Sequence, residues 1–341
     1  MPALREWVDP AGVPVRILTR RSRGRWKDLF FAIGVAWALW RDRKRYDVVY
    51  FLMQGLHLAA GLPVARALGK PIVMKISGSG IIPIMVNSRL GRLELKWLAK
   101  WASRVMLLNE GMFDEAMAGG LPREKLFWMP NPVDTDEFQP AQPDEIAPWR
   151  ERHGIPPQST VAIYVGRLSH EKGLTQLLRG FAKAACAVPA AMLILVGDGP
   201  QRGELEALAK ELGLGRSQVR FVGRVDLQEV PSWLQASDLF ALLSPNEGLS
   251  CALLEGMASG LASVVSDIPA NRQLIDDRVH GLTVPFDDEG AAEEALLKLL
   301  CSADLRKHMG EAARSRAVGN YSTDRVVDRY EAMLSEVMVS K

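Results

Sequence analysis

Four short segments gather the residues able to do chemistry. Gly166-Arg167-Leu168-Ser169-His170-Glu171-Lys172-Gly173 sets a guanidinium and an ammonium beside a glycine. A planar fork and a point charge together suit phosphate oxygens, and glycine lets a ligand approach the backbone closely. Ser244-Pro245-Asn246-Glu247-Gly248-Leu249-Ser250-Cys251-Ala252-Leu253-Leu254-Glu255-Gly256 carries two carboxylates eight residues apart. If that stretch is helical throughout, they stand about 12 Å apart along the axis, too far to share a proton or a metal. They suit instead the two sugars of a nucleotide-sugar, which flank its diphosphate. The amides of Gly248 and Leu249 would then open a helix and donate to a phosphate oxygen, with the helix dipole behind them. Gly197-Asp198-Gly199-Pro200 and Gly223-Arg224-Val225 read as tight turns at the edge of a cleft. Gly197, Gly199 and Gly203 do not fit GxGxxG, so a dinucleotide fingerprint is not supported.

These segments need a scaffold, and the chain around them alternates strand and helix. Strands are expected at 15–18, 47–51, 71–76, 105–108 and 125–129, with helices over 29–40, 55–68, 89–102 and 110–118. The strand at 47–51 is a continuous apolar run after Asp47, as for a parallel strand buried on both faces. From Pro130 to Pro148 proline and aspartate crowd together, the mark of a linker. Beyond it strands are expected at 161–165, 192–196, 219–222, 239–243 and 262–265, with only helices after that. Leu174, Leu177, Leu178, Phe181, Ala182 and Ala185 fall on one face of a helix. Such alternation implies an α/β fold of two doubly wound parallel sheets, with helices on both faces and a ligand cleft between them. The chemistry-bearing segments all follow strands of the second half, outside their carboxyl ends.

The composition sets the bounds. With 341 residues the chain is long enough for two domains, and 48% hydrophobic with 24% charged residues is globular. A net charge of +2 gives no reason to expect nucleic acid as a partner. Cys186, Cys251 and Cys301 are odd in number and far apart, so neither a disulfide framework nor a zinc site is suggested, and a reducing, cytoplasmic setting fits. No apolar run reaches the length that spans a bilayer, and no signal peptide is visible. Charge is uneven, however. Residues 1–45 hold eleven Lys/Arg and four Asp/Glu, a balance of +7, leaving 2 − 7 = −5 for the rest. Arg16, Arg20, Arg21, Arg23, Arg25 and Lys27 precede the apolar run 29–40, and Arg41, Arg43, Lys44 and Arg45 follow it. Two readings stand: a buried helix with solvated ends, or contact of residues 16–45 with an anionic membrane surface.

Taken together, Gly166-Arg167-Leu168 with Glu171-Lys172-Gly173, Val196-Gly197-Asp198-Gly199-Pro200, and Glu247-Gly248 with Glu255-Gly256-Met257-Ala258 resemble the family 4 retaining glycosyltransferases of the GT-B fold. Asn131-Pro132-Val133-Asp134 with Phe138, and Ile268-Pro269 through Gly281-Leu282 and Val284-Pro285, match the same family's pattern. The resemblance covers residues 130–335 well and 45–130 loosely. It implies two Rossmann-like domains, 1–134 on the acceptor side and 135–322 binding a nucleotide-sugar, with the helix 323–341 packing back on the first. It implies transfer of a sugar, with retention and without a metal or other cofactor, from a nucleotide-diphosphate-sugar to a glycan or lipid-linked acceptor, as in cell-surface polysaccharide or envelope glycan synthesis. Uridine is the family's commonest base. In that frame Arg167 and Lys172 hold the diphosphate, Glu247 faces the donor hexose, and Glu255 takes the ribose hydroxyls. Gly248, Leu249 and Ser250 line the phosphate and sugar, Gly166 and Gly199 lie beside the donor, and Arg224 with Val225 borders the base.

Two departures accompany the resemblance. Where the family often carries His-Gly after the strand at 71–76, this chain has Ser77-Gly78, which become the acceptor-side candidates, while His57 reads as a packing residue. The chain also opens at about the family's third strand, so the first domain is expected to be incomplete. A GT-B epimerase and a non-catalytic nucleotide-sugar-binding protein are the competing functions.

Overall fold

The computed structural model describes residues 3–8, 14–19 and 27–339. Two compact units emerge, one ending at Met129 and regaining the chain from Arg329, the other spanning Pro130–Asp328.

The first unit begins with a hairpin, β1 (Ala3–Val8) against β2 (Pro14–Thr19), Ala3 opposite Thr19. The strand expected at 15–18 therefore exists, but pairs antiparallel in a sheet of its own. A short connection allows that pairing, whereas a parallel pair needs a long crossover. Then come α1 (Lys27–Arg41), β3 (Val49–Phe51), α2 (Leu56–Ala67), β4 (Ile72–Lys75), α3 (Ile81–Asn87), α4 (Arg89–Trp101), β5 (Arg104–Leu107), α5 (Glu110–Ala118) and β6 (Leu126–Trp128). β3 to β6 form a parallel sheet in chain order.

α3 is absent from the sequence expectation. Its N-terminus is held by Glu115, whose two carboxylate oxygens accept from the Gly80 amide at 3.1 and 2.9 Å. β3 departs from the expected burial on both faces. Val49 and Phe51 are buried, but Tyr50 is 38% exposed on the other side. That side meets the chain's last helical segment. Tyr330 Oη lies 3.2 Å from Tyr50 Oη, the Lys75 ammonium donates to it at 3.3 Å, and Arg329 stacks over Trp128. Each strand from β3 to β6 thus offers a side chain to that segment, since Arg104 also pairs with Glu336 at 3.2 Å.

In the second unit the expected linker 130–148 is helical from its last third: α6 runs Pro143–Arg152. Pro143 stands at the first helical position, where a missing N–H costs nothing, and Glu145 accepts from the Gln142 amide at 3.3 Å. Buried Arg150 ties α6 to the domain. Its guanidinium donates to Ala236 O (2.8 Å), Ser159 O (3.2 Å) and Asp238 Oδ2 (2.8 Å), and that same carboxylate oxygen accepts from the Val161 amide at 2.7 Å.

The alternation then runs β7 (Thr160–Val165), α7 (Leu174–Ala187), β8 (Ala191–Val196), α8 (Arg202–Glu211), β9 (Val219–Gly223), α9 (Val230–Gln235), β10 (Leu239–Leu242), α10 (Cys251–Ala258), β11 (Ala262–Ser266), α11 (Pro269–Arg272), β12 (Gly281–Val284), α12 (Glu289–Cys301), α13 (Ala303–Tyr321) and α14 (Thr323–Val339). All six apolar positions singled out on α7 are buried. β12 corrects the expectation of helices alone after residue 265; its four residues start at a glycine and abut Pro285, too little periodicity to register. The sheet is parallel in the order β12-β11-β10-β7-β8-β9, so the winding reverses between β7 and β10. Among the described residues no helix is long and apolar enough to cross a membrane.

Replacing Arg150 by Met takes one donor each from Asp238 and two carbonyls, leaving Asp238 only the Val161 amide among the bonds named above. The second unit should lose about 2–3 kcal/mol in urea unfolding, with the slope unchanged.

Candidate functional site

In an open parallel sheet a ligand finds room outside the carboxyl ends of strands where the winding reverses. Here that place lies between the loops following β7 and β10. β7 pairs with β10, Leu239 opposite Ala162 and Phe240 opposite Ile163. The loop after β7 makes a single turn over His170–Lys172, and Gly173 then starts α7. Gly173 has φ +64°, and a Cβ there would stand 1.7 Å from the Leu243 carbonyl oxygen. Only glycine allows the two loops to lean on one another so closely. The consequence is an ion pair: Lys172 Nζ donates to Glu247 Oε1 at 2.7 Å, the carboxylate side chain being 9% exposed.

A second group of site residues surrounds a cavity of about 790 Å³ over β7, β8 and β9. Gly166 and Arg167 follow β7, Gly197-Asp198-Gly199-Pro200 follow β8, and Arg224, Val225, Leu227 and Val230 follow β9. The loops brace each other through backbone bonds. The Gly197 amide donates to Gly223 O (2.8 Å), the Leu168 amide to Asp198 O (3.1 Å) and the Gln201 amide to Leu168 O (3.0 Å). Gly197 has φ +129°, and a Cβ there would lie 1.9 Å from Gly166 O. Buried Tyr164 donates its hydroxyl to Arg167 O at 2.9 Å, fixing the turn that presents the guanidinium. Burial, then the nearby Glu247 and Glu171, raises the phenol's pKa, so it remains a neutral donor. Two guanidinium-bearing residues and an apolar floor of Val165, Val196, Val225 and Val230 suit an anionic ligand with a flat apolar end.

The structure therefore places the expected residues in distinct settings. Gly166, Arg167, Gly199, Arg224 and Val225 line one cavity, while Lys172 and Glu247 pair at the winding reversal. Glu255 lies on α10 and is not among the residues lining that cavity. Ser77 and Gly78 sit in the first unit's loop after β4, whose Ser79 hydroxyl accepts from Asn109 at 3.3 Å.

One expectation about α10 is corrected. Ser250 keeps extended backbone angles and accepts from the Leu253 amide at 3.2 Å, so it caps a helix that starts at Cys251. Gly248 and Leu249 precede that cap and do not supply the helix's opening amides. The axial separation of Glu247 and Glu255 estimated for a continuous helix lapses for the same reason.

Glu255 is driven towards its neutral form. Burial, and secondarily the charge of Glu137, raises its pKa to about 7. Asp198 and Pro200, read from the sequence as part of a turn at the cleft edge, line the cavity, while Leu227 and Val230 as lining residues and Tyr164 as a support were missed. The only available signal was a tyrosine inside an otherwise aliphatic strand, whose hydroxyl must find a partner when buried. Among the described residues no three His, Cys, Asp or Glu side chains converge as a metal site.

Residues 145–316 match the family model described as glycosyl transferases group 1. The chain is 28% identical over 330 residues to the alpha-D-kanosaminyltransferase of Streptomyces kanamyceticus, covering 90% of this chain and 85% of that protein. It is 28% identical over 344 residues to the 2-deoxystreptamine N-acetyl-D-glucosaminyltransferase of Streptomyces fradiae, covering 94% and 81%. In fold it is similar to Anabaena Alr3699/HepE, solved in complex with UDP and glucose, with TM-score 0.77, 19% identity, and coverage of 93% and 85%. It is similar likewise to sucrose-phosphate synthase (tll1590) from Thermosynechococcus elongatus, with TM-score 0.79, 19% identity, and coverage of 96% and 84%.

The raised pKa of Glu255 gives a stability prediction whose sign is fixed. The folded protein holds this proton more tightly than the unfolded chain, so stability falls as pH rises from the ordinary carboxylate value of 4.5 to about 7. Glu255→Gln removes that loss. Its melting temperature should exceed that of the parent by about 2–4 °C at alkaline pH, with the difference vanishing in acid. A pH-independent difference would contradict the assignment.

Proposed function

The chain belongs to the glycosyl transferases group 1 family, and from that premise we propose that it moves a hexose from a nucleotide-diphosphate-sugar to a glycan or lipid-linked acceptor, with retention of anomeric configuration. Its two parallel-sheet α/β units match those of GT-B glycosyltransferase structures. The observation that carries the proposal is the cavity over β7–β9, bearing Arg167 and Arg224, in the same sheet as the Lys172–Glu247 pair at the winding reversal.

In this reading the base lies against Val225, Leu227 and Val230, with Arg224 at its edge. UDP is the proposed nucleotide, because a fold neighbour was solved with it. Breaking the bond between the sugar's anomeric carbon and the diphosphate oxygen leaves growing negative charge on the diphosphate. Arg167 and Lys172 are the groups proposed to stabilise that charge, held in place before the reaction begins. Arg167 is fixed by the Tyr164 hydroxyl on its own carbonyl, and Lys172 by Glu247. Glu247 is the proposed acceptor for the hexose hydroxyls, its carboxylate held in place by the ammonium beside it. Glu255 is the proposed acceptor for the ribose hydroxyls, and Ser77 with Gly78 the acceptor-side contacts. This assignment needs no metal for charge neutralisation. We place the reaction in cell-surface polysaccharide or envelope glycan assembly.

Calorimetry against UDP, GDP and their sugars tests the proposal directly, because a ligand bound to the folded state raises its stability according to affinity. A uridine diphosphate should bind, and transfer or slow hydrolysis of its sugar should follow with the anomeric configuration kept. Failure of every nucleoside diphosphate to bind would refute it. Arg167→Ala and Lys172→Ala should each lower kcat by roughly 10²–10³, about 2.7–4 kcal/mol of barrier, with folding intact. Donor affinity should also strengthen as Glu255 ionises between about pH 6 and pH 8, and Glu255→Gln should flatten that profile. Retained pH dependence in the Gln variant would remove Glu255 from the donor site.

A further inference from the structure

α1 has two faces that want different surroundings. Ala32, Gly34 and Ala38 are buried on the side packed against α2. On the other side Phe30, Ile33, Trp37 and Trp40 are 59%, 55%, 53% and 55% exposed. Their spacing of three, four and three residues makes a single stripe along the helix. Four large apolar side chains in one exposed row mark a surface that meets something, since scattered exposure does not produce a row. The expectation of a core helix buried on all sides is thereby excluded.

Charge identifies what the row meets. At its C-terminal end the guanidinium of Arg41 lies 4.4 Å from the Trp37 ring centre and that of Arg43 lies 4.7 Å from the Trp40 ring centre. Arg43 also donates to Trp40 O at 2.9 Å. Arg41 is balanced by Asp42 at 2.6 Å, but Lys44 and Arg45 follow directly and are exposed. Indole rings beside cations, at the end of an apolar stripe, match the boundary between acyl chains and anionic headgroups. A protein partner's apolar groove would complement the row but not the cluster of cations. The helix has 15 residues, so it lies on a bilayer and does not cross it. Of the basic residues ahead of the stripe, Arg20, Arg21, Arg23 and Arg25 lie outside the described residues, and for Arg16 and Lys27 the backbone alone is described.

We propose that the exposed face of α1, with Arg43, Lys44 and Arg45, docks the protein on an anionic bilayer, inserting Phe30, Ile33, Trp37 and Trp40 to the depth of the headgroup boundary. This surface is independent of how the sugar donor is bound.

Co-sedimentation of the full chain tests it, using vesicles of equal parts phosphatidylglycerol and phosphatidylcholine, and vesicles of phosphatidylcholine alone. The protein should pellet with the mixed vesicles, much less with the neutral ones, and less at high salt. Two double variants change only exposed side chains: Phe30→Ser with Trp37→Ser, and Lys44→Glu with Arg45→Glu. Each should weaken the partition by roughly tenfold or more, with circular dichroism and melting temperature kept. No binding to the mixed vesicles, or binding that survives both variants, overturns the proposal. So does a dimer in ultracentrifugation that Phe30→Ser with Trp37→Ser dissociates, because the stripe then belongs to a second copy.

Discussion

The site depends on the contact between the loops that leave β7 and β10. These two strands are neighbours although two further strands and their helices separate them along the chain. Their loops diverge towards opposite flanks of the sheet and open a crevice at its carboxyl edge. Gly173 against the Leu243 carbonyl keeps the crevice narrow enough for Lys172 to reach Glu247. A side chain at residue 173 would push the loops apart and separate the ammonium from its carboxylate.

Around that contact the second unit fixes polar groups with backbone and buried tyrosine, leaving little to side-chain freedom. Arg167 is held through its own carbonyl, so its guanidinium can turn towards a ligand while its attachment point stays put. The neighbouring turns at Gly197 and Gly223 are joined by a backbone bond. Preorganisation of this kind is what charge stabilisation requires, because donors that must reorient during the reaction lose much of their effect. The cost appears at Glu255, where burial disfavours the charged carboxylate.

The first unit is built on different terms. Its sheet receives α1 and α2 on the side of Phe51, and the last helical segment on the side of Tyr50. The second side is strongly polar, with paired tyrosine hydroxyls, Lys75, and an Arg104–Glu336 pair. Such contacts discriminate between registers more than they stabilise, since a shifted segment would leave Lys75, itself buried, without its hydroxyl partner. The apolar stripe of α1 remains outside both packings, and its composition suits a lipid boundary better than a core.

Most of the strands and long helices were legible in the sequence, because a strand buried on both faces reads as an aliphatic run and the α7 stripe repeats at helical spacing. Arg167, Lys172 and Glu247 were legible as candidates for a simpler reason: charged residues beside glycines at strand ends have few structural uses. Glu255, inside α10, was legible only through its spacing from Glu247 and the family pattern. What escaped notice obeyed other rules. α6 hid behind prolines that are harmless at a first turn, β12 was too short to show a period, and the start of α10 turned on a hydrogen bond from the Leu253 amide to Ser250. Tyr50 looked like part of a fully buried strand because its partner lies 280 residues away. By itself the sequence determined which residue types stand at the strand ends, since that follows from local periodicity. Which of them meet was decided only in three dimensions: the pairing of Lys172 with Glu247 follows from strand order, and the raised pKa of Glu255 follows chiefly from burial, neither of which is a local property of the chain.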